Sequence, residues 1–235
     1  MNILALDTCT ELCSVSLSFI APESQTNQQI DLCVEAPREH SQRLLPMVDE
    51  ALQQANITLA DVDLIAYGRG PGSFTGIRIC TSMTQGLALG QDKDVIGIST
   101  LAAMAQLAID EHNAEQMFCS IDARMNEVYW AQFTNQNGIA TLVGEELVSA
   151  PNDVKLTLNH QQTTFACGTG FAAYPALLSL NDNIVLSETV HYPKASAMIP
   201  LAKHGHANGL HTSVDELAPV YLRDTVTWKK LPGRE

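Results

Sequence analysis

An α/β fold in two lobes, built from a duplicated βββαβαβα unit, is predicted by three observations on this chain of 235 residues. The first is element order: runs rich in Ile, Leu and Val alternate with segments of helical periodicity, and the second half repeats the pattern of the first. The second is the placement of acids, with Asp7 closing the first strand of one half and Asp122 closing that of the other. The third is the placement of glycines, since Gly68-Arg69-Gly70 and Gly168-Thr169-Gly170 follow corresponding later strands.

Residues 2–7 and 12–20 read as strands joined by a turn around Thr8-Cys9-Thr10-Glu11, and a polar insert from Pro22 to Gln29 precedes a third strand at 30–36. Pro37 stops that strand ahead of a helix from His40 to Ala55, in which Leu44, Leu45, Val48, Ala51 and Leu52 recur on one face. Val62–Tyr67 is the next strand, 74–90 a helix rich in small residues and ended by Gly90, Val95–Ile98 a strand and Thr100–Ile109 a helix. In the second half, strands are expected at 117–122, 127–133 and 139–148, then a weak helix after Pro151 and a strand at 163–167. A helix at 171–180, a short strand at 184–186 and a helix at 194–207 complete it. The lobes expected from this order are 1–110, joined by the C-terminal segment from about 212 to 235, and a degenerate second lobe at 111–211.

Composition narrows the class. A hydrophobic content of 46% suits a globular chain with one large or two small cores. No apolar run approaches the roughly 18 residues of a membrane span, and the start Met1-Asn2-Ile3-Leu4 has no basic region of a signal peptide. A cytoplasmic protein without membrane partners is expected. The net charge of −13 disfavours independent binding to a phosphate backbone, although Arg223, Lys229, Lys230 and Arg234 make a small cationic tail. Six cysteines lie scattered without a Cys-x-x-Cys pair, so reduced, buried thiols are expected, Cys9 and Cys13 facing each other across a hairpin at most.

The run Gly68-Arg69-Gly70-Pro71-Gly72-Ser73-Phe74-Thr75-Gly76-Ile77-Arg78 sits between a strand and a helix. Its glycines allow positive φ and close backbone approach, Pro71 stiffens the bend, and Ser73 is placed to cap the helix. A Walker A loop needs Lys-Ser/Thr after its closing glycine, and Ile77-Arg78 stand there instead, which excludes the P-loop reading.

The duplicated unit with an Asp at each first-strand tip resembles the actin-like ATPase (ASKHA) superfamily. That resemblance implies a nucleotide cleft between the lobes, with Asp7, Thr8 and Thr10, then Asp122, then Gly168, Thr169 and Gly170 at the positions that would line it. A narrower match is carried by Leu4-Ala5-Leu6-Asp7-Thr8, by the central glycine run and by Pro219-Val220-Tyr221-Leu222-Arg223. Together they resemble the bacterial TsaB (YeaZ) family of tRNA threonylcarbamoyladenosine biosynthesis proteins over essentially the full length. The resemblance implies a non-catalytic subunit without cofactor or metal. Such a subunit binds TsaD, joins TsaE in a larger complex, pairs with itself when alone and meets tRNA indirectly. The modification is N6-threonylcarbamoyladenosine at position 37 of tRNAs reading codons that begin with adenine. It further implies docking through first-lobe helices, carried here to Leu44, Leu45, Val48, Phe74, Arg78 and Gln85. TsaD has two metal-binding histidines where this chain has Thr100 and Met104, a poor ligand set for a hard metal.

The remaining candidates are weaker. Lys203-His204-Gly205-His206 and His211 lack a nearby acid or thiol before Asp215. His40 and Ser41 would point about 100° apart on a helix, poor geometry for a nucleophile and its base. Arg69 and Arg78 are open to a partner carboxylate, a phosphate, or an internal pair with Asp63 or Glu50, and Arg124 has the same choice beside Asp122. The alternative activity is ATP-dependent phosphotransfer or hydrolysis of the actin-like kind.

Overall fold

A computed structural model describes residues 1–223. Residues 224–235, with the tail cations Lys229, Lys230 and Arg234, lie outside the described residues. The first half runs β1 (Ile3–Asp7), β2 (Leu12–Ile20), β3 (Asn27–Glu35), α1 (His40–Ala55), β4 (Leu64–Gly70), α2 (Phe74–Gln91), β5 (Asp94–Ser99) and α3 (Thr100–His112). The second runs β6 (Gln116–Arg124), β7 (Glu127–Gln136), β8 (Ile139–Ser149), β9 (Thr164–Cys167), α4 (Gly170–Ala173), β10 (Ile184–Leu186) and α5 (Ala195–Ala207).

The sheets have the orders β3-β2-β1-β4-β5 and β8-β7-β6-β9-β10, which are the same topology in two copies. In each, an antiparallel meander continues into two parallel strands. The expected duplication is therefore a property of the sheets as well as of element order. Register corrects one detail. Leu6 pairs with Tyr67 and Cys119 with Cys167, so the residues facing Gly68 and Gly168 are Asp7 and Ser120. Ser120 takes the place beside the glycine turn, while Asp122 matches Asp7 at the hairpin itself, where each carboxylate accepts the backbone amide two residues on, Asp7 from Cys9 and Asp122 from Arg124.

β2 is buried on both faces. Cys13, Val15, Leu17 and Phe19 join the core under α1, together with Leu44, Met47, Val48 and Ala51 from the helix. The opposite face carries Ser14, Ser16 and Ser18, small enough to let α5 approach, and the Ser14 hydroxyl accepts a bond from the Ala195 amide at 3.0 Å.

Chain order places α3 with the first lobe and α5 with the second, and the packing reverses both. Leu101, Met104, Ala105 and Ala108 of α3 pack with Met117, Cys119 and Phe133 of the second sheet. Ala195, Met198, Ile199 and Ala202 of α5 pack with Ile3, Ala5, Leu64 and Ala66 of the first. The lobes thus exchange helices, each burying an apolar stripe against the other's sheet.

Several boundaries differ from expectation. β4 extends through Gly68-Arg69-Gly70, so the turn proper is Pro71–Ser73, and of its flanking glycines only Gly70 takes positive φ, at 98°. The helix expected at 171–180 breaks at Pro175, which has no amide hydrogen to continue the ladder, leaving α4 and a 3₁₀ turn over Pro175–Leu180. The weak helix after Pro151 is a 3₁₀ turn over Pro151–Asp153. α2 runs past Gly90 to Gln91, where Asp92 takes the left-handed cap at φ 48°.

Candidate functional site

The glycine run closes down on the β1–β2 hairpin. A Cβ on Gly68 would lie 2.0 Å from Asp7 Oδ2, one on Gly72 2.2 Å from the Cys9 carbonyl oxygen, and one on Gly76 2.1 Å from that of Thr8. These glycines are there for contact. The Ser73 amide donates to the Cys9 carbonyl at 2.7 Å and the Thr8 hydroxyl to the Gly76 carbonyl at 2.7 Å, while Ser73 Oγ caps α2 by accepting from the Gly76 amide.

The residues expected to line a nucleotide cleft divide, some sealed and some open to a cleft. Asp7 and Thr8 are wholly buried beneath the turn. Asp7 Oδ1 accepts from the Cys9 amide at 3.0 Å, Oδ2 has no partner among the described residues, and burial pushes the carboxyl up to about 7. Gly168 and Gly170 are sealed in the same way, since a Cβ there would lie 2.3 Å from the Ser120 carbonyl oxygen and 2.1 Å from Ser120 Oγ. Met104 packs over Gly168, and Thr100 is buried at the start of α3. A cleft of about 570 Å³ does remain between the lobes, and Thr10, Asp122 and Thr169 line it with Glu11, Arg124 and Arg223.

One ion pair crosses this cleft, and another joins the lobes beside it. Arg124 lies 2.9 Å from Asp122 and 3.7 Å from Glu11 of the opposite hairpin. Arg69 pairs with Glu146 of β8 at 2.9 Å instead of with Asp63 or Glu50. Because the Glu146 side chain is nearly buried, Arg69→Gln is expected to lower stability by about 1–2 kcal/mol, read as a shift of the urea midpoint that Arg69→Lys partly restores. Arg223 holds Glu127 and the Ala123 carbonyl.

The docking residues divide. Leu44 and Val48 belong to the first-lobe core, so the expectation that they face a partner is corrected: their helical positions point at β2. Leu45 is 43% exposed, Phe74 56% exposed, and Arg78 and Gln85 are exposed along α2. Phe74 carries the Arg78 guanidinium 3.7 Å over its ring and meets Tyr221 at a centroid distance of 5.6 Å. Sequence reasoning missed Leu89, 58% exposed, although Phe74, Arg78, Ser82, Gln85 and Leu89 follow one another at helical spacing on one face. Beside them, Gly86 and Gly90 would have nothing among the described residues within 4 Å of an added Cβ.

His206 and His211 stack at 4.4 Å, and among the described residues no group of three or more His, Cys, Asp or Glu side chains is arranged to hold a metal. Cys9 donates to the Gly68 carbonyl at 3.3 Å and neighbours Cys80. All six thiols are free, Cys33 alone being exposed.

Fold and site define a two-lobed actin-like protein whose hairpin sites are filled by its own glycine turns. The family model described as "TsaD: tRNA N6-adenosine threonylcarbamoyltransferase" matches residues 32–230. The "tRNA threonylcarbamoyladenosine biosynthesis protein TsaB" of Escherichia coli is 43% identical over 237 residues, covering 100% of both chains. That of Haemophilus influenzae is 41% identical over 100% of this chain and 99% of its own. The solved structure of YeaZ from Pseudomonas aeruginosa superimposes with a TM-score of 0.83 at 38% identity, covering 94% of this chain and 99% of that one. The chain belongs to the TsaB (YeaZ) family of tRNA threonylcarbamoyladenosine biosynthesis proteins.

Proposed function

We propose that this chain is a non-catalytic scaffold that binds and activates TsaD in the complex forming N6-threonylcarbamoyladenosine at position 37 of tRNAs reading codons that begin with adenine. The observation that carries the reading is the outer face of α2. Phe74 and Leu89 lie exposed there, and a Cβ added at Gly86 or Gly90 would meet nothing among the described residues. Each helical glycine costs about 1 kcal/mol relative to alanine, an expense that close approach of a partner helix would offset. Docking uses Leu45 of α1 and Phe74, Arg78, Gln85 and Leu89 of α2. A second copy covers the same face when TsaD is absent, TsaE joins the larger complex, and tRNA is met indirectly in the cytoplasm.

The alternative, ATP-dependent phosphotransfer, needs free carboxylates for hydrated Mg²⁺ and open backbone for the nucleotide. The residues present do not fit that group: Asp7 is sealed, and both Asp122 and Glu11 are drawn to Arg124.

The decisive experiment is synthesis of threonylcarbamoyladenosine from purified TsaD, TsaE, threonylcarbamoyl-adenylate and tRNA, with and without this chain. Product only when it is present, with no turnover by the chain alone, is the expected result. Equal product without it removes the scaffold reading, and saturable heat of Mg-ATP binding in calorimetry would bring the phosphotransferase forward.

A further inference from the structure

We propose that a composite pocket at the start of α2 is a socket into which the partner inserts an apolar side chain backed by a carboxylate. The inference rests on the scaffold reading and deepens it, because docking then engages three parts of the chain instead of helices alone. The pocket, of about 680 Å³, is walled by Phe74 and Arg78 of α2, by Tyr129 of β7 and by Val220, Tyr221 and Leu222 of the segment after α5.

The walls are held in place by the chain itself. The Tyr67 hydroxyl donates to the Ala218 carbonyl at 3.1 Å and the Val220 amide to the Arg69 carbonyl at 2.8 Å, which ties the segment to β4. Gly70 permits that approach, since a Cβ there would lie 2.8 Å from the Val220 carbonyl oxygen. Arg223, also in the lining, reaches the Glu127 carboxylate and the Ala123 carbonyl of the second lobe. A partner seated here meets walls from both lobes that are already formed, which lowers the cost of association.

The chemistry of the lining selects the occupant. Three of its ten residues are aromatic and two are arginine, in a chain only 6% aromatic. These are the residue types that concentrate at the energetic centres of protein interfaces. Phe74 and Tyr221 are exposed, and Tyr129, Val220 and Leu222 are half-buried, so an incoming apolar side chain has surface to cover. Arg78 supplies the charge. Its guanidinium lies over the Phe74 ring, its Nε donates to the Tyr221 hydroxyl at 3.2 Å, and it forms no ion pair among the described residues. A guanidinium fixed by stacking presents a planar edge that a carboxylate can engage through two bonds. Arg223 does not compete for that acid, because Glu127 already neutralises it.

The test is calorimetric association of purified TsaD with the parent chain and with Tyr221→Ala, Arg78→Lys and Arg78→Glu, each isolated chain being checked by urea unfolding. Tyr221→Ala is expected to weaken association at least about tenfold and Arg78→Glu at least about a hundredfold, with unfolding midpoints near that of the parent. Arg78→Lys should weaken it about fivefold, since lysine keeps the charge and loses the planar edge. No association of the parent removes the scaffold reading and the socket with it. Parent affinity retained in both Tyr221→Ala and Arg78→Glu overturns the socket alone and leaves the partner on the exposed helix faces. Loss confined to self-association of the isolated chain, read by sedimentation, assigns the pocket to a second copy and likewise overturns the proposal.

Discussion

Phe74→Asp combined with Leu45→Asp is expected to reduce association with TsaD by at least about a hundredfold while leaving the thermal unfolding midpoint nearly unchanged. Both side chains are substantially exposed, so their loss removes little from the chain's own core. A charge at the centre of an apolar helix contact must be desolvated without a partner, which is the source of the large effect. Gly86 offers a sharper version of the same test. An alanine there meets nothing among the described residues within 4 Å, so Gly86→Ala should stabilise the free chain by about 0.5–1 kcal/mol through helix propensity alone. Gly86→Phe should keep the fold and block close helix approach. Sedimentation of mixtures with TsaD and chemical unfolding of the isolated chain read the two effects separately. Unchanged association in all these variants would move the docking face away from α2.

A second large effect concerns Asp7. Its folded-state carboxyl titrates near 7 against an ordinary 3.8, raised by desolvation and only partly opposed by the Cys9 hydrogen bond. The folded state therefore holds its proton to higher pH than the unfolded chain. This contribution is fully present below about pH 4 and falls by about 1.4 kcal/mol per unit as pH rises toward 7, on the order of 4 kcal/mol in all. The neighbouring thiols do not share in it: burial pushes Cys13 up to about 12, and hydrogen bonding with the Cys80 thiol, together with burial, holds Cys9 well above the usual thiol range. Asp7→Asn keeps the acceptor for the Cys9 amide and cannot ionise. Urea midpoints at pH 5, 6, 7 and 8 should fall for the parent relative to Asp7→Asn, with the variant the more stable of the two at pH 8. Parallel curves would show that Asp7 is ionised throughout.

Legibility varied with the range of the interaction. α1 was readable to its ends, because a proline-bearing segment precedes it and its apolar stripe is local. The Ser73 cap and the strand pairs of each meander were equally local. Leu44 and Leu45 show the limit: they are adjacent, and only the placement of α1 on β2 decides that one is buried and the other exposed. The pairing of Arg69 with Glu146 joins residues 77 positions apart, across two lobes, and no spacing rule reaches it.

The order of strands and helices, the duplication and the family were determined by the sequence itself, since periodicity, turn residues and motifs act within a few positions of the chain. The tertiary structure alone decided that α3 and α5 exchange lobes, that Ser120 lies beside Gly168 where Asp7 lies beside Gly68, and that the glycine run closes onto the β1–β2 hairpin. Those outcomes depend on which backbone approaches which across the folded core, and a missing Cβ records that an approach is permitted without recording from where it comes.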